Sequence, residues 1–147
     1  MSMGNHSGQR TTTALITLSY PSHVFNPEDL LTFVELDEFV DDWLALGLSV
    51  EDDLWALQIA IMSGPTDGDV IAGTGGLRKM RFAPLRSGRG KSGGIRVCYV
   101  YLPEHFIVLL VFAYAKASKV TLSAEEKSGI KQYIEIITKQ LDEKKFD

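Results

Sequence analysis

The stretch Gly73–Phe82, with the sequence GTGGLRKMRF, decides the fold and opens a basic segment within an acidic protein. Seven positive side chains lie between Ala72 and Arg96 with no Asp or Glu among them: Arg78, Lys79, Arg81, Arg86, Arg89, Lys91 and Arg96. The whole chain of 147 residues nevertheless carries a net charge of −4. A concentrated cationic surface on an acidic protein is suited to a polyanion, most commonly phosphate, and the alternative is an ordinary solvated loop.

The basic segment contains the pattern of β-strands separated by turns. In an extended strand over Leu77–Phe82, Lys79 and Arg81 would share one face while the apolar side chains point to the other. A turn-rich loop follows, and two further strands are predicted at Ile95–Leu102 and Phe106–Tyr114. The last strand is almost wholly apolar and the connections are short, so we expect it in the middle of an antiparallel meander.

Apolar residues recur at helical spacing before this sheet. The first run extends over residues 36–46, and Gly47 is the predicted end of its helix. A second helix is predicted from Ser49, with Asp52 at capping distance, to about residue 62. A short strand at Thr32–Glu35 precedes both helices.

A third helix follows the sheet. Ser123 and Glu126 have the spacing of a capping box, and one apolar stripe follows, formed by Ile130, Tyr133, Ile134, Ile137 and Leu141. The predicted fold class is α+β, with two N-terminal helices packed on a small antiparallel sheet of 3–4 strands and a C-terminal helix. Residues 32–141 form the predicted domain, between a flexible or atypical extension at 1–31 and a frayed charged tail at 142–147.

Within the extension, Met1–Thr13 shows no helical or strand period, whereas Ala14–Tyr20 has the composition of a strand. Cys98 is the single cysteine, so no internal disulfide can form, and its apolar surroundings predict a buried, unreactive thiol. The longest apolar run, Phe106–Ala115, is shorter than a membrane helix, and no convincing signal peptide precedes the domain. We therefore expect a cytoplasmic protein with no membrane partner.

The two N-terminal helices are acidic. Residues 28–53 hold ten Asp or Glu and no Lys or Arg, so this surface would repel RNA. It is interpreted as a solvated helical face, with a basic partner as the alternative. Trp43 and Trp55 are interpreted as packing residues, with the stacking of bases as the alternative.

Three motifs follow one another from residue 68 to residue 122. They are GDVIAGTGGLRKMR at 68–81, GRGKSGGIRVCYVYLPE at 88–104, and LLVFAYAK with the residues after it at 109–122. In this order and spacing they resemble the HigB branch of the RelE superfamily of type II toxins. The resemblance covers about residues 32–141 and implies a RelE-like toxin domain over that range.

The resemblance implies an endonuclease that cuts messenger RNA in the ribosomal A site, without metal or cofactor. In the implied transesterification the ribose 2′-OH attacks the neighbouring phosphate, and the 5′-oxygen of the next nucleotide leaves. Such a reaction needs a proton acceptor, a proton donor and cations that offset the charge developing on the phosphate. The implied partners are the ribosome, its mRNA and a cognate helix-turn-helix antitoxin of the HigA type.

The resemblance also divides the polar residues into candidate catalytic and RNA-binding groups. Arg81 and Arg96 match the LRKxR and GGxRxxY motifs and would grip phosphate oxygens with their planar guanidinium groups. Neighbouring cations favour the neutral form of a lysine, so Lys79 is the candidate general base. Lys116 of the third motif is the candidate acid or second phosphate ligand, and Tyr114 would stack, donate its hydroxyl or pack. The other candidate RNA-binding residues are Arg78, Arg86, Arg89, Lys91 and Lys119.

The third motif departs from the family pattern YxKNExxDL at three positions. Ala117, Ser118 and Thr121 stand where the family has Asn, Glu and Asp. This loss of polar groups leaves open a degenerate toxin, which would bind the ribosome or RNA without cutting it. A toxin of the related ParE type, which inhibits DNA gyrase, is a further alternative that the retained basic residues favour less.

Overall fold

The computed structural model describes residues 9–13, 30–84 and 94–144, the first of these ranges by its backbone alone. Six strands lie within these ranges: β1 (Gln9–Thr13), β2 (Thr32–Leu36), β3 (Asp69–Val70), β4 (Leu77–Phe82), β5 (Ile95–Leu102) and β6 (Ile107–Ala115). The helices there are α1 (Asp37–Ala45), α2 (Asp52–Ser63) and α3 (Ala124–Lys144). The fold is therefore α+β, as predicted, and the bounds of β4 and β5 agree with the sequence pattern.

The described strands form one mixed sheet in the order β1-β2-β6-β5-β4-β3. Strands β3 to β6 pair with antiparallel neighbours, as the short connections predict, but β2 and β6 are parallel. The prediction of an antiparallel sheet with 3–4 strands is therefore wrong in two respects. The sheet has more strands, and β2 and β6 form a parallel pair. Because α1 and α2 carry the chain away from β2 before the meander begins, β6 can return alongside β2 in the same direction. The apolar strand β6 lies inside the sheet, as predicted.

The helices cover opposite faces of the sheet. On one face, Trp43 of α1 stacks on Phe39 with ring centroids 5.2 Å apart and lies 5.7 Å from the ring of Phe82. The Trp43 indole also donates to the Ser49 carbonyl at 2.8 Å, which confirms its packing role. On the other face, α3 packs the predicted apolar stripe against β5 and β6. The sheet thus separates two cores, an arrangement that the predicted layout did not include.

Local capping sets the ends of the helices. Gly47 adopts a left-handed φ of 78°, and the amide of Leu48 donates to the Trp43 carbonyl at 3.2 Å, so α1 ends where predicted. Before α2, Ser49 exchanges two hydrogen bonds of 2.9 Å with Asp53. The predicted partner, Asp52, is therefore wrong by one residue.

The capping box of α3 is present as predicted. The amide of Ser123 donates to Glu126 Oε1 at 2.8 Å, and the amide of Glu126 donates to Ser123 Oγ at 3.0 Å. The helix continues through Lys144, and its last turns place Asp142 Oδ1 2.8 Å from Nε2 of His105 in the connection between β5 and β6. Residues 145–147 of the predicted tail lie outside the described residues.

The glycine-rich start of the basic segment is a packed turn. Thr74 is fully buried, donates its hydroxyl to the Ile71 carbonyl at 2.6 Å and accepts from the amide of Leu77 at 3.0 Å. Gly75 has a φ of 76°, and a Cβ there would lie 3.0 Å from Cγ of Lys131 on α3. Glycine is required here for turn geometry and for close packing of the turn on α3.

The N-terminal extension contributes a strand. β1 pairs with β2 in antiparallel fashion, with Gln9 opposite Leu36, which corrects the prediction that Met1–Thr13 lacks strand structure. The predicted strand Ala14–Tyr20 lies outside the described residues. Within the described ranges, no helix combines the length and apolar character needed to cross a membrane.

Candidate nucleic-acid interface

Three neighbouring strands bring a row of side chains to one face of the sheet. The register places Arg81 of β4 opposite Arg96 of β5, and Arg96 opposite Tyr114 of β6. Directly opposed residues in antiparallel strands have Cβ atoms ~4.5–5.5 Å apart. Arg81 is exposed, whereas Arg96 and Tyr114 are half-buried. The row is therefore most open to solvent at its β4 end.

Lys79 and Lys116 flank this row. Lys79 lies two residues before Arg81 on the same face, about 7 Å along the strand, and is exposed. Lys116 directly follows β6, and its amide donates to the Gly94 carbonyl at 2.9 Å. The guanidinium of Arg96 lies beside the same glycine, whose Cβ would be 3.7 Å from Nη1. The structure thus brings the four candidate catalytic residues to one end of the sheet, which we call the cationic end.

Helix α3 leaves the cationic end uncovered. Leu77 is fully buried on the face that carries Arg81, beside the turn in which Gly75 packs against Lys131 of α3. Farther along the same strand, Lys79 and Arg81 are exposed. Helix α3 therefore crosses the sheet at the start of β4 and does not bury these two side chains.

A buried thiol, Cys98, and a half-buried tyrosine, Tyr114, lie next to the cations. Burial raises the pKa of the Cys98 thiol to about 12, although the Lys79 ammonium acts in the opposite direction. Burial also raises the pKa of Tyr114, with Cys98 adding to the rise and Arg96 opposing it. Both groups are therefore protonated at neutral pH, so the thiol is unreactive and the tyrosine hydroxyl can donate a hydrogen bond. The Tyr114 ring also stacks on Phe112, with centroids 6.1 Å apart.

Arg78 lies on the opposite face of β4 from the cationic end. Its Nη1 donates to the carbonyls of Thr66 at 3.0 Å and Gly68 at 2.8 Å. The hydroxyl of Tyr99 holds the same loop, because it accepts from the Gly68 amide at 3.2 Å and donates to the Pro65 carbonyl at 2.9 Å. These contacts give Arg78 and Tyr99 a structural role in positioning the loop before β3.

Of the four remaining predicted RNA-binding residues, the structure describes only Lys119. Arg86, Arg89 and Lys91 lie outside the described residues. Lys119 is exposed three residues beyond Lys116 and adopts a left-handed φ of 49°. The three positions that depart from the family pattern, Ala117, Ser118 and Thr121, are also exposed in this segment.

Asp69 joins the cationic end although it is not among the predicted site residues. Strand β3 places it opposite Lys79, and both side chains are exposed. A cleft of about 340 Å³ runs along this edge of the sheet, lined by Asp69, Lys79 and Arg81 together with the end of α2. The only sequence indication is the position of Asp69 within the first motif, since its pairing with β4 depends on tertiary structure.

In the described parts of the chain, no group of three or more His, Cys, Asp or Glu side chains is placed to hold a metal ion. No protein-family model matches the chain. The resemblance to RelE-type toxins therefore rests on the three sequence motifs, and the local chemistry rests on the geometry of the cationic end.

Proposed function

We propose that the protein is a ribosome-dependent mRNA endonuclease of the RelE type, and that the cationic end binds the RNA backbone. The observation that carries this proposal is the direct opposition of Arg81 and Arg96, with Lys79 and Lys116 on either side. Cations spread across three strands, ~10 Å in all, match a short stretch of single-stranded backbone better than a single small anion. We also propose that the sheet and the helices have the arrangement of a RelE-like toxin.

In the proposed reaction Arg81 and Arg96 grip the phosphate that is attacked. Two planar guanidinium groups can each donate a pair of hydrogen bonds to phosphate oxygens, and they remain charged throughout. Negative charge accumulates on these oxygens as the 2′-oxygen attacks, so both interactions strengthen toward the transition state. Removal of one such group is expected to slow cleavage on the order of 10²-fold or more.

Lys116 and Tyr114 are the candidate proton donors on the opposite side of the row. A tyrosine hydroxyl is ordinarily protonated at neutral pH, and burial raises the pKa of Tyr114 further. Arg96 lies directly opposite Tyr114. Lys116 is exposed at the end of β6 and carries a donor ammonium. Either group would protonate the departing 5′-oxygen, and no metal or cofactor is required in this scheme.

The proposed partners follow from the toxin resemblance. They are the ribosome and its mRNA in the cytoplasm, and an antitoxin with a helix-turn-helix of the HigA type. The exposure of Lys79 and Arg81 supports a ligand that approaches the sheet from outside. A small reading frame beside the gene that encodes a helix-turn-helix domain would support the toxin assignment, and its absence would weaken it.

A non-cleaving RNA-binding protein of the same fold is the second candidate. The exposed Ala117 and Ser118 favour it, because they present short side chains where the family pattern has Asn and Glu. Under this reading the cationic end retains affinity for RNA while the reaction is lost. A gyrase inhibitor of the ParE type is the third reading, and it would require no RNA contact at the cationic end.

The deciding experiment is induced expression of the wild type and Arg96→Ala in a bacterium, with primer extension on a translated message. Growth arrest with new codon-phased 5′ ends that are absent in the variant is the expected result. If the wild-type protein is folded but the cells grow and no mRNA is cleaved, the non-cleaving RNA-binding protein becomes the preferred hypothesis. Arrest without cleavage would point to gyrase, which a supercoiling assay checks directly.

A further inference from the structure

The two-residue strand β3 brings a carboxylate to the cationic end. Asp69 pairs with Lys79 in the antiparallel register, so the two side chains lie on the same face with Cβ atoms ~4.5–5.5 Å apart. Arg81 follows on that face two residues later. An acceptor-only group thus stands within reach of the phosphate that the cations would hold.

The loop before β3 holds Asp69 in a defined position. The hydroxyl of Tyr99 bonds to the amide of Gly68, the residue just before Asp69, and Arg78 donates to the Gly68 carbonyl. Gly68 is buried, and a Cβ there would lie 2.8 Å from the Tyr99 hydroxyl. Both peptide groups of Gly68 are therefore fixed by side chains from β4 and β5. A functional side chain mounted on such a support keeps its orientation when ligand binds.

Asp69 also lines the cleft of about 340 Å³ that runs between the end of α2 and β4. The same cleft is lined by Lys79 and Arg81 from β4, Tyr99 from β5 and Asp67 from the loop before β3. The cleft volume falls within the range of small-ligand sites, roughly 300–1,000 Å³. A phosphate held by Arg81 would lie on the same face as Asp69, two residues along β4 from the Asp69–Lys79 pair.

We propose that Asp69 is the proton acceptor for the ribose 2′-OH at the cationic end, a role that rests on the proposed RNA cleavage. The Asp69 carboxylate takes the 2′-OH proton as the bond between O2′ and phosphorus forms. The bond between phosphorus and O5′ breaks, and O5′ takes a proton from a donor such as Lys116. The products are a 2′,3′-cyclic phosphate and a 5′-hydroxyl, so atoms and electrons balance without an added reactant.

This assignment moves Lys79 from general base to phosphate ligand. A lysine ammonium donates hydrogen bonds and has no lone pair, whereas a carboxylate has only acceptor oxygens. In this assignment the Asp69 carboxylate is the acceptor, and Lys79 adds a third cation to Arg81 and Arg96. In this scheme Asp69 accepts the proton, and Lys79 stabilises the negative charge that develops on the phosphate.

The test is single-turnover cleavage of ribosome-bound mRNA by wild type and Asp69→Asn across the acidic and neutral pH range. A general base contributes ~10²–10⁴-fold, so Asp69→Asn should lose that much rate and the acidic limb of the pH profile. Binding is measured with mRNA that carries a 2′-deoxyribose at the cleavage position and so cannot be cut. Asp69→Asn should bind this ribosome complex within about twofold of the wild type, whereas Lys79→Ala should bind it more weakly. Asp69→Glu, which restores a carboxylate, should recover the acidic limb with part of the rate.

Several outcomes would overturn the assignment. If Asp69→Asn cleaves like the wild type, or if Asp67→Asn is the variant that loses the acidic limb, Asp69 is not the base while the endonuclease assignment stands. If Asp69→Asn loses as much affinity for the complex with the 2′-deoxyribose as it loses cleavage rate, Asp69 only positions the RNA. A wild type that binds the ribosome without cutting would remove the endonuclease assignment and the role of Asp69 together. Thermal unfolding of each variant separates these effects from misfolding, and Asp69→Glu supplies a second folded variant.

Discussion

Arg81 and Arg96 lie directly opposite each other on adjacent antiparallel strands. Like charges placed in this way destabilise a sheet in the absence of a ligand. Arg81 relieves part of this repulsion by exposure to solvent, while the Arg96 guanidinium lies beside Gly94. An anion bound between the two groups, as proposed above, would remove the remaining repulsion.

RNA binding should depend less on salt concentration when either Arg81 or Arg96 is replaced by alanine. Each phosphate contact to single-stranded RNA contributes about 0.7 to the slope of log affinity against log salt, so Arg81→Ala and Arg96→Ala should each flatten it by about that amount. Fluorescence anisotropy with a short labelled RNA measures this slope. Lys139→Ala, an exposed lysine on α3, is the control and should leave the slope unchanged. If the wild type and all three variants give the same slope, the cationic end does not bind RNA.

Arg78 should matter for stability more than for binding. Arg78→Ala removes two hydrogen bonds from a charged donor to the carbonyls of Thr66 and Gly68. Bonds of this kind contribute about 1.5–3 kcal/mol each when buried, and partial exposure here lowers the expected loss to about 1–2 kcal/mol in total. Urea unfolding measures the change. Arg81→Ala, on the other face of the same strand, is the comparison and should stay within about 0.5 kcal/mol of the wild type.

Gln58 is a site where a polar group weakens the core. It is 1% exposed on α2, and among the described residues neither amide atom of its side chain has a hydrogen-bond partner. Gln58→Met keeps the length of the side chain and removes the unsatisfied amide, so it should raise the free energy of unfolding by about 1 kcal/mol. The same change at the exposed Gln132 is the control. A destabilised Gln58→Met protein would mean that the amide has a partner, such as a buried water.

Glu38 should make stability depend on pH. Burial, together with the neighbouring Asp42 and Glu126, raises the pKa of Glu38 above its usual value of 4.5. A carboxyl that binds its proton more tightly in the folded state destabilises the fold above its folded pKa, and the loss is recovered as pH falls toward the unfolded value.

Glu38→Gln should therefore raise the melting temperature at neutral pH, and the gain should vanish at pH below about 4. Thermal unfolding followed across this pH range tests the prediction, with Glu135→Gln on the exposed side of α3 as the matched control. Glu38 and Glu126 line a cleft of about 520 Å³ between α3 and the sheet, so a gain of equal size at every pH would indicate a packing effect there instead.

Cys98 should react slowly in the folded protein. Its thiol pKa of about 12 leaves roughly one molecule in 10⁴ as thiolate at pH 8, and the side chain is buried. Iodoacetamide labelling followed by mass spectrometry should be at least about 100-fold slower in buffer than in urea. Labelling at similar rates in both conditions would show that the sheet opens at β5.

Local patterns account for much of the fold. Alternation along Leu77–Phe82 predicts that strand, and the β-branched and aromatic composition of Ile95–Leu102 predicts the next, both with the bounds observed. The capping box at Ser123 likewise marks the start of α3, since its hydrogen bonds close within one turn. The same alternation places Lys79 and Arg81 on one face before any pairing is known.

Pairing between distant segments could not be predicted in this way. The parallel contact of β2 with β6, and the strand formed by Gln9–Thr13, depend on which edges meet once both cores are buried. The contacts of Arg78 with the Thr66 and Gly68 carbonyls were likewise hidden, because they depend on how the loop before β3 packs against β4.

The sequence by itself determined which residue types are concentrated between residues 72 and 96, and which face of each strand they occupy. The tertiary structure alone decided that Arg96 stands opposite Arg81 and that Asp69 stands opposite Lys79. Register is set by hydrogen bonds between strands and by the burial of the whole apolar face, both of which are non-local. The chemistry proposed for the cationic end depends on those two pairings.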